Sequence, residues 1–308
     1  MGMRIFWESP LGAQSVLERE TLSLASALSK EKYELIRYTG GLSVDLHGQD
    51  IFRENSEAYI PADWHFRAYW YPVMGNRVGK FLYYMPLEYH TGNEEWAGLF
   101  NRYAEKVRVT DGETFDAYRK MGVHSEKLAV LPPMIEPSLY RPANPNPRFL
   151  KDLRSNVLLW VGELTARDGL DVLLNAYLDA FTKSDDVSLI IVKILPGDWI
   201  ADLSDSLRQE IYGESAPHIV SASVPNYLYN IASIFQVVHH AILPYRGFSL
   251  AYQVLETALF GIPTWVSDVN PYQNLLPTGT SIPGSRRSIK LAWSSGVGEY
   301  FEPNHDDL

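Results

Sequence analysis

One carboxylate, Glu256, stands in an apolar helical run, VLETALFGIP, that follows a glycine-marked loop, PYRG (Pro244 to Gly247). The residue is either part of a polar site or a helix-start carboxylate favoured by the helix dipole alone. Near the amino end, SPLGAQS places Gly12 and Ser15 ahead of a helical pattern. Free backbone N–H groups there could meet an anion or a sugar hydroxyl, or Ser15 could act as a simple N-cap. Of the histidines, His239 and His240 are neighbours in a strand pattern and point to opposite faces, which argues against a joint metal site. No metal-ligand spacing, Ser-His-Asp constellation or phosphate-cradling P-loop occurs.

The elements that must position such residues follow from pattern and length. A chain of 308 residues suggests two domains. Its 46% hydrophobic and 21% charged residues are ordinary globular composition with a large core. Strand, loop and helix follow one another in MRIFWES and SVLERETLSLASALSK. YELIRYTGG, KFLYYMPLEYH and KLAVLPP read as further strands, and KVRVTDGETFDAYRKMG as strand, turn and helix with Gly122 as the stop. A stiff, proline-rich span, YRPANPNPRFLKD, then marks a boundary between a domain over 1–150 and a second over 151–308.

The rhythm restarts at NVLLWVGELTARDGLDVLLNAYLDAF. It continues with strands in DDVSLIIVKIL, HHAILPYR and TWVSD, a helix in VPNYLYNIASIF, and a helix over VLETALFGIP stopped by Gly261 and Pro263. Strands alternating with helices predict an α/β fold of two doubly wound parallel sheets, with the ligand crevice at the carboxyl ends of the strands.

Charge and composition exclude several classes. A net charge of −10 argues against wrapping nucleic acid. The absence of cysteine removes disulfides, thiolate metal sites and a cysteine nucleophile, and is compatible with a reducing cytoplasm. No apolar run approaches the length of a signal peptide core or a membrane span. A local apolar patch would still suffice for a peripheral membrane position and a lipid-linked acceptor. The aromatic share of 13% suits ring or sugar stacking as well as core packing.

Three ordered segments resemble the retaining GT-B glycosyltransferases of family four, also called group 1 glycosyl transferases. VTDGETFDAYRKMGVHSEKLAVLPPMIEPSLYRP is similar to the handover between their domains, and LLWVGELTARDGLDVLLNAYLDAF to the first βα unit of their donor domain. PYRGFSLAYQVLETALFGIPTWVSD is similar to their signature loop and helix, and FRAYWYP to an element of one branch. The resemblance implies two Rossmann-like domains facing each other across a cleft, and a hexose moved with retention and without a metal from a UDP- or GDP-linked sugar. That donor is a substrate, and no cofactor is implied. The acceptor would be a saccharide, a lipid-linked group or a protein.

By the same resemblance Glu256 would hold the donor ribose, since an ionised carboxylate is an acceptor-only group suited to a diol. Phe248 stands where the family has a second glutamate. Glu163 and Asp168 stand where it has cations for the diphosphate, so Arg167, Lys193 and Arg246 would form a rearranged set, with Gly12, Gly162 and Gly247 bringing backbone near the donor. Glu88 and His90, in MPLEYHTG, occupy the acceptor-side loop, where an imidazole titrating near neutral pH could contact the sugar or share a proton.

GVGEYFEPNHDDL is similar to the segment before the family's final crossing helices, which would then be missing. The altered signature leaves two other readings open. One is a degenerate member that binds a sugar or nucleotide or serves a partner glycosyltransferase; the other is a sugar epimerase or phosphorylase on the same fold.

Overall fold

The computed structural model describes residues 2–9, 15–38, 53–55, 60–140, 152–163, 165–194, 215–223, 227–247, 252–269, 276, 281–292, 294 and 296–308. Two compact units divide the chain. The first comprises Met1–Glu136, Phe248–Tyr252 and Ser288–Tyr300, and the second Pro137–Gly247, Gln253–Arg287 and Phe301–Leu308. The proline-rich span over 141–151, where the sequence places the boundary, lies outside the described residues.

In the first unit the elements run β1 (Arg4–Glu8), α1 (Val16–Lys30), β2 (Glu34–Tyr38), β3 (Arg53–Asn55), β4 (Trp64–Ala68), β5 (Lys80–Tyr84), α2 (Glu94–Tyr103), β6 (Lys106–Val109), α3 (Gly112–Met121) and β7 (Leu128–Val130). Their sheet has the order β3-β2-β1-β4-β5-β6-β7, with every pairing parallel. Local chemistry sets the helix starts. Ser15 closes a capping box with Glu18, its hydroxyl accepting from Glu18 N–H at 3.3 Å while the Glu18 carboxylate accepts from Ser15 N–H at 2.8 Å. Asp111 caps α3 by accepting from Thr114 N–H at 2.9 Å, and the helix stops at Gly122, as its sequence predicts.

The second unit runs β8 (Asn156–Gly162), α4 (Leu170–Ala180), β9 (Val187–Lys193), β10 (His218–Ser223), α5 (Tyr227–Phe235), β11 (His240–Leu243), α6 (Tyr252–Leu259), β12 (Thr264–Ser267) and β13 (Ser281–Ile282). The order β10-β9-β8-β11-β12-β13 is again parallel throughout. All seven residues of β9 are buried, as expected of a parallel strand covered on both faces. Trp160, Leu173, Tyr177, Leu189 and Ile191 form a core around it. A two-stranded sheet of β14 (Gly284–Ile289) and β15 (Gly298–Pro303) completes the described elements. Thus part of GVGEYFEPNHDDL is strand.

The first core contains an ion pair with no access to water. Glu20 of α1 and Arg108 of β6 are 0% and 1% exposed. Arg108 Nη2 donates to Glu20 Oε1 at 2.5 Å, and the Tyr84 hydroxyl donates to Glu20 Oε2 at 2.6 Å. The Leu131 and Pro132 carbonyls accept from the same guanidinium at 3.0 Å each. Burial, followed by the adjacent Glu20 charge, pushes the Tyr84 hydroxyl well above its ordinary range, so it stays a donor.

Candidate functional site at the strand switch points

Both sheets reverse direction of growth once, between β1 and β4 and between β8 and β11. In doubly wound sheets the carboxyl ends of strands flanking such a reversal are the usual ligand position. In the second unit, β8 ends at Gly162 and β11 at Leu243, followed by the loops 163–169 and 244–247. Lys193, 5% exposed, ends β9 directly opposite Gly162.

The two loops are locked together. Arg246 N–H donates to the Arg167 carbonyl at 2.7 Å, and Arg246 Nη1 donates to the Ala166 carbonyl at 2.8 Å. Gly169 has φ +67°, and a Cβ there would run into the Pro244 carbonyl oxygen. Gly162 lies against the Trp160 indole and Asp168, where a side chain would not fit.

Asp168 does not stand in the loop as a bare repelling charge. It is 4% exposed, and its Oδ2 accepts from Glu163 N–H at 3.2 Å, Thr165 N–H at 2.9 Å and the Thr165 hydroxyl at 2.8 Å. These are donors of the kind that a bound anion uses in a phosphate loop. The cations are also matched by carboxylates. Arg167 donates to Glu163 at 2.9 Å, with Asp168 at 3.7 Å from its Nε. Arg246 meets Asp171 through two bonds, of 2.7 and 2.9 Å, and Glu302 at 2.8 and 3.1 Å.

Hydrogen bonding to Asp171 raises the Arg246 pKa, burial acts against it, and Glu302 reinforces it. Burial in turn pushes the Asp171 carboxyl up, and the Arg246 contact more than offsets this, leaving it below the ordinary range. Asp171, Glu302 and the anchoring role of Asp168 are absent from the sequence-based set. The spacing Thr165-x-x-Asp168 is a capping-box signal that points to the last of these.

Glu256 is the fifth residue of α6 rather than its first, and it is fully buried. The Tyr140 hydroxyl donates to its Oε1 at 2.7 Å. This contact gives the carboxylate a task in holding residues 137–140 to the helix. Glu256→Ala is therefore expected to destabilise the fold by about 1–3 kcal/mol by removing the acceptor of the Tyr140 hydrogen bond, while Glu256→Gln, which keeps an acceptor oxygen, should recover most of the loss. Urea unfolding of both variants measures it. An undiminished midpoint for Glu256→Ala would free the residue for a ligand role.

Gly247 is buried beside Arg246, whereas Gly12 and Phe248 lie outside the described residues.

At the first unit's switch point, Glu8 ends β1 and pairs in register with Arg67 of β4. Arg67 Nε and Nη2 donate to Glu8 Oε2 at 2.9 and 2.7 Å, and His65 Nε2 lies 3.0 Å from the same oxygen. Burial pushes the Glu8 carboxyl up, but the hydrogen bonds from His65 and Arg67 prevail and hold it below its usual range. Burial lowers the His65 pKa despite Glu8, which favours a neutral ring. Val78 N–H donates to its Nδ1 at 3.4 Å, leaving Nε2 as the protonated nitrogen facing Glu8. The guanidinium also ties down the Val73 and Asn76 carbonyls at 2.7 Å each. The sequence does not single out this cluster, because only the pairing of β4 with β1 brings His65 and Arg67 to Glu8.

Glu88 and His90 share the turn after β5, with Glu88 half-buried and His90 at φ +47°. His90 Nδ1 is 4.0 Å from Glu113 Oε2. Residues from 288–300 brace this turn: Glu299 N–H donates to the Tyr89 carbonyl at 2.9 Å, and the Ser294 and Thr91 hydroxyls are 2.6 Å apart. Among the described residues, no group of three or more His, Cys, Asp or Glu could hold a metal, and no helix is long and apolar enough to cross a membrane.

Two doubly wound parallel units in tandem, each with one switch point, define the GT-B architecture. The fold is similar to that of HepE from Anabaena solved with UDP and glucose, with a TM-score of 0.64 and 12% identity, over 92% of this chain and 86% of that one. Sucrose-phosphate synthase from Thermosynechococcus elongatus gives a TM-score of 0.66 and 14% identity over the same shares. WaaG, a glycosyltransferase involved in lipopolysaccharide biosynthesis, gives 0.59 and 17% over 91% and 86%. No family model and no curated protein matches the sequence.

Proposed function

We propose that the chain is a glycosyltransferase that moves a hexose from a UDP- or GDP-linked sugar to a saccharide, lipid-linked or protein acceptor, with retention and without a metal. The observation that carries this reading is the second unit's switch point, where loops 163–169 and 244–247 interlock and bring Arg167 and Arg246 together beside the ends of β8 and β9. The fold likeness to HepE, solved with UDP-glucose, supports a nucleotide-sugar as the donor.

In this reading Arg167, Lys193 and Arg246 meet the departing diphosphate after Glu163, Asp171 and Glu302 yield their places, and Gly162 and Gly247 let backbone come close. Glu256 contacts the ribose only if Tyr140 releases it. Glu88 and His90 serve the acceptor side. Rate enhancement then comes from positioning and from charge stabilisation of the leaving group.

A thermal-shift panel of UDP, GDP, ADP and their glucose conjugates tests the proposal. A ligand at a hundred times its dissociation constant is expected to stabilise the folded protein by about 2.7 kcal/mol, raising Tm by several degrees for one base. Proton NMR of the product with added chelator then reports the anomer and any metal requirement. Silence across the whole panel would sink the proposal; a shift without turnover would leave a nucleotide-binding protein.

A further inference from the structure

Away from its switch point, the first unit has a cavity of about 620 Å³ at the amino ends of β5, β6 and β7. Arg77, Lys80, Arg102 and Lys127 line it, with Glu105 as the one acidic lining residue among the described residues. None of the four cations is ion-paired with a carboxylate among the described residues. Arg77 lies over the Tyr103 ring at 4.4 Å and donates to the Tyr103 carbonyl at 3.3 Å. Arg102 lies over the same ring at 5.2 Å, and Lys80 over Trp64 at 5.5 Å. Lys127 Nζ donates to the Ala104 carbonyl at 2.8 Å.

The carboxyl end of α2 explains part of this gathering, because it carries roughly half a negative charge. With Glu105 it offsets roughly one and a half of the four positive charges and leaves roughly two and a half. In a chain whose net charge is −10, cations left without carboxylates around one cavity point to an anion from outside.

We propose that this cavity binds a phosphate group carried on a larger body. Two guanidinium forks and two ammonium groups suit an oxyanion with several acceptor oxygens and up to two charges better than a single carboxylate. The volume exceeds that of a bare phosphate and falls within the usual range for small-molecule sites, roughly 300–1,000 Å³. A phosphorylated saccharide and a phospholipid headgroup share this chemistry. The lining residues all belong to the first unit, and the proposal does not depend on the role of the second unit's switch-point loops.

The test uses the full chain at low salt with UDP present to occupy any donor site. Glucose 6-phosphate is titrated by calorimetry, and phosphatidylglycerol vesicles are compared with phosphatidylcholine vesicles by flotation. The double variant Arg77→Glu/Arg102→Glu is measured beside the unmodified chain, with Lys80→Gln as a milder second probe. The expected result is binding that falls by roughly tenfold or more in the double variant, less in Lys80→Gln, and with added salt. Loss of the sugar phosphate identifies a soluble ligand, and loss of phosphatidylglycerol vesicles alone identifies a headgroup. No binding to either, or binding unchanged in both folded variants, overturns the proposal.

Discussion

Glu20→Ala is expected to cost the first unit about 3–5 kcal/mol, because it strands the Arg108 guanidinium in a place that water does not reach. Arg108 is 1% exposed, and its remaining acceptors are the Leu131 and Pro132 carbonyls, neither of which carries a full charge. Among the described residues its Nη1 already has no hydrogen-bond partner in the native fold. Tyr84 would lose the carboxylate that accepts its proton at the same time. For a unit of this size the fall in Tm is on the order of 10 °C. The double variant Glu20→Leu/Arg108→Met should be markedly milder than either single change, since removing both charges also removes the desolvation cost of each. Chemical denaturation of the three variants provides the check. A double variant as unstable as Glu20→Ala would show that shape, rather than charge, dominates the site.

Gly169→Ala is expected to disable the second unit's switch point. The residue has φ +67°, which costs an alanine about 1–2 kcal/mol by itself. Its new Cβ would also collide with the Pro244 carbonyl and push the 244–247 loop, with Arg246, away from Arg167 and Ala166. Gly261 is an internal control, since it has nearly the same φ, +68°, with nothing among the described residues near the position of a Cβ. Gly261→Ala should therefore show only the conformational cost, about 1–2 kcal/mol. Gly169→Ala should exceed it by about 1–3 kcal/mol, the usual cost of overpacking, and should lose any nucleotide-dependent shift in Tm. Equal losses in the two variants would mean that the loops part without penalty.

The fold was legible where local pattern and tertiary demand agree. The apolar runs of β8 and β9 and the stops at Gly122 and Gly261 read correctly because each encodes its role within a few positions, and of the two readings open for Ser15 the structure shows the N-cap. β4 did not, since its WHFRA carries His65 and Arg67, and only the distant Glu8 makes them tolerable in a core. For α2, EEWAGLFNRY buries only Ala97 and Phe100, too little for an apolar stripe to show.

The same divide runs through the candidate site. The loops bearing Gly162, Arg167, Arg246 and Gly247 stood out by their glycines and charges. What each charge does depended on partners far away in sequence: Glu302 for Arg246, Tyr140 for Glu256, and the 288–300 segment for the turn that carries His90.

That segment also has a consequence for biosynthesis. The first unit is begun by residues 1–136 and finished by 288–300, which brace the Leu87–Thr91 turn through Glu299 and Ser294. A ribosome adding about 5–20 residues per second reaches the second stretch roughly 8–30 s after leaving the first. Through that interval the nascent first unit lacks the segment that steadies the His90 turn, and all of the second unit but Phe301–Leu308 is made in the meantime. Vectorial synthesis thus makes the first half of the molecule the first to start folding and among the last to finish.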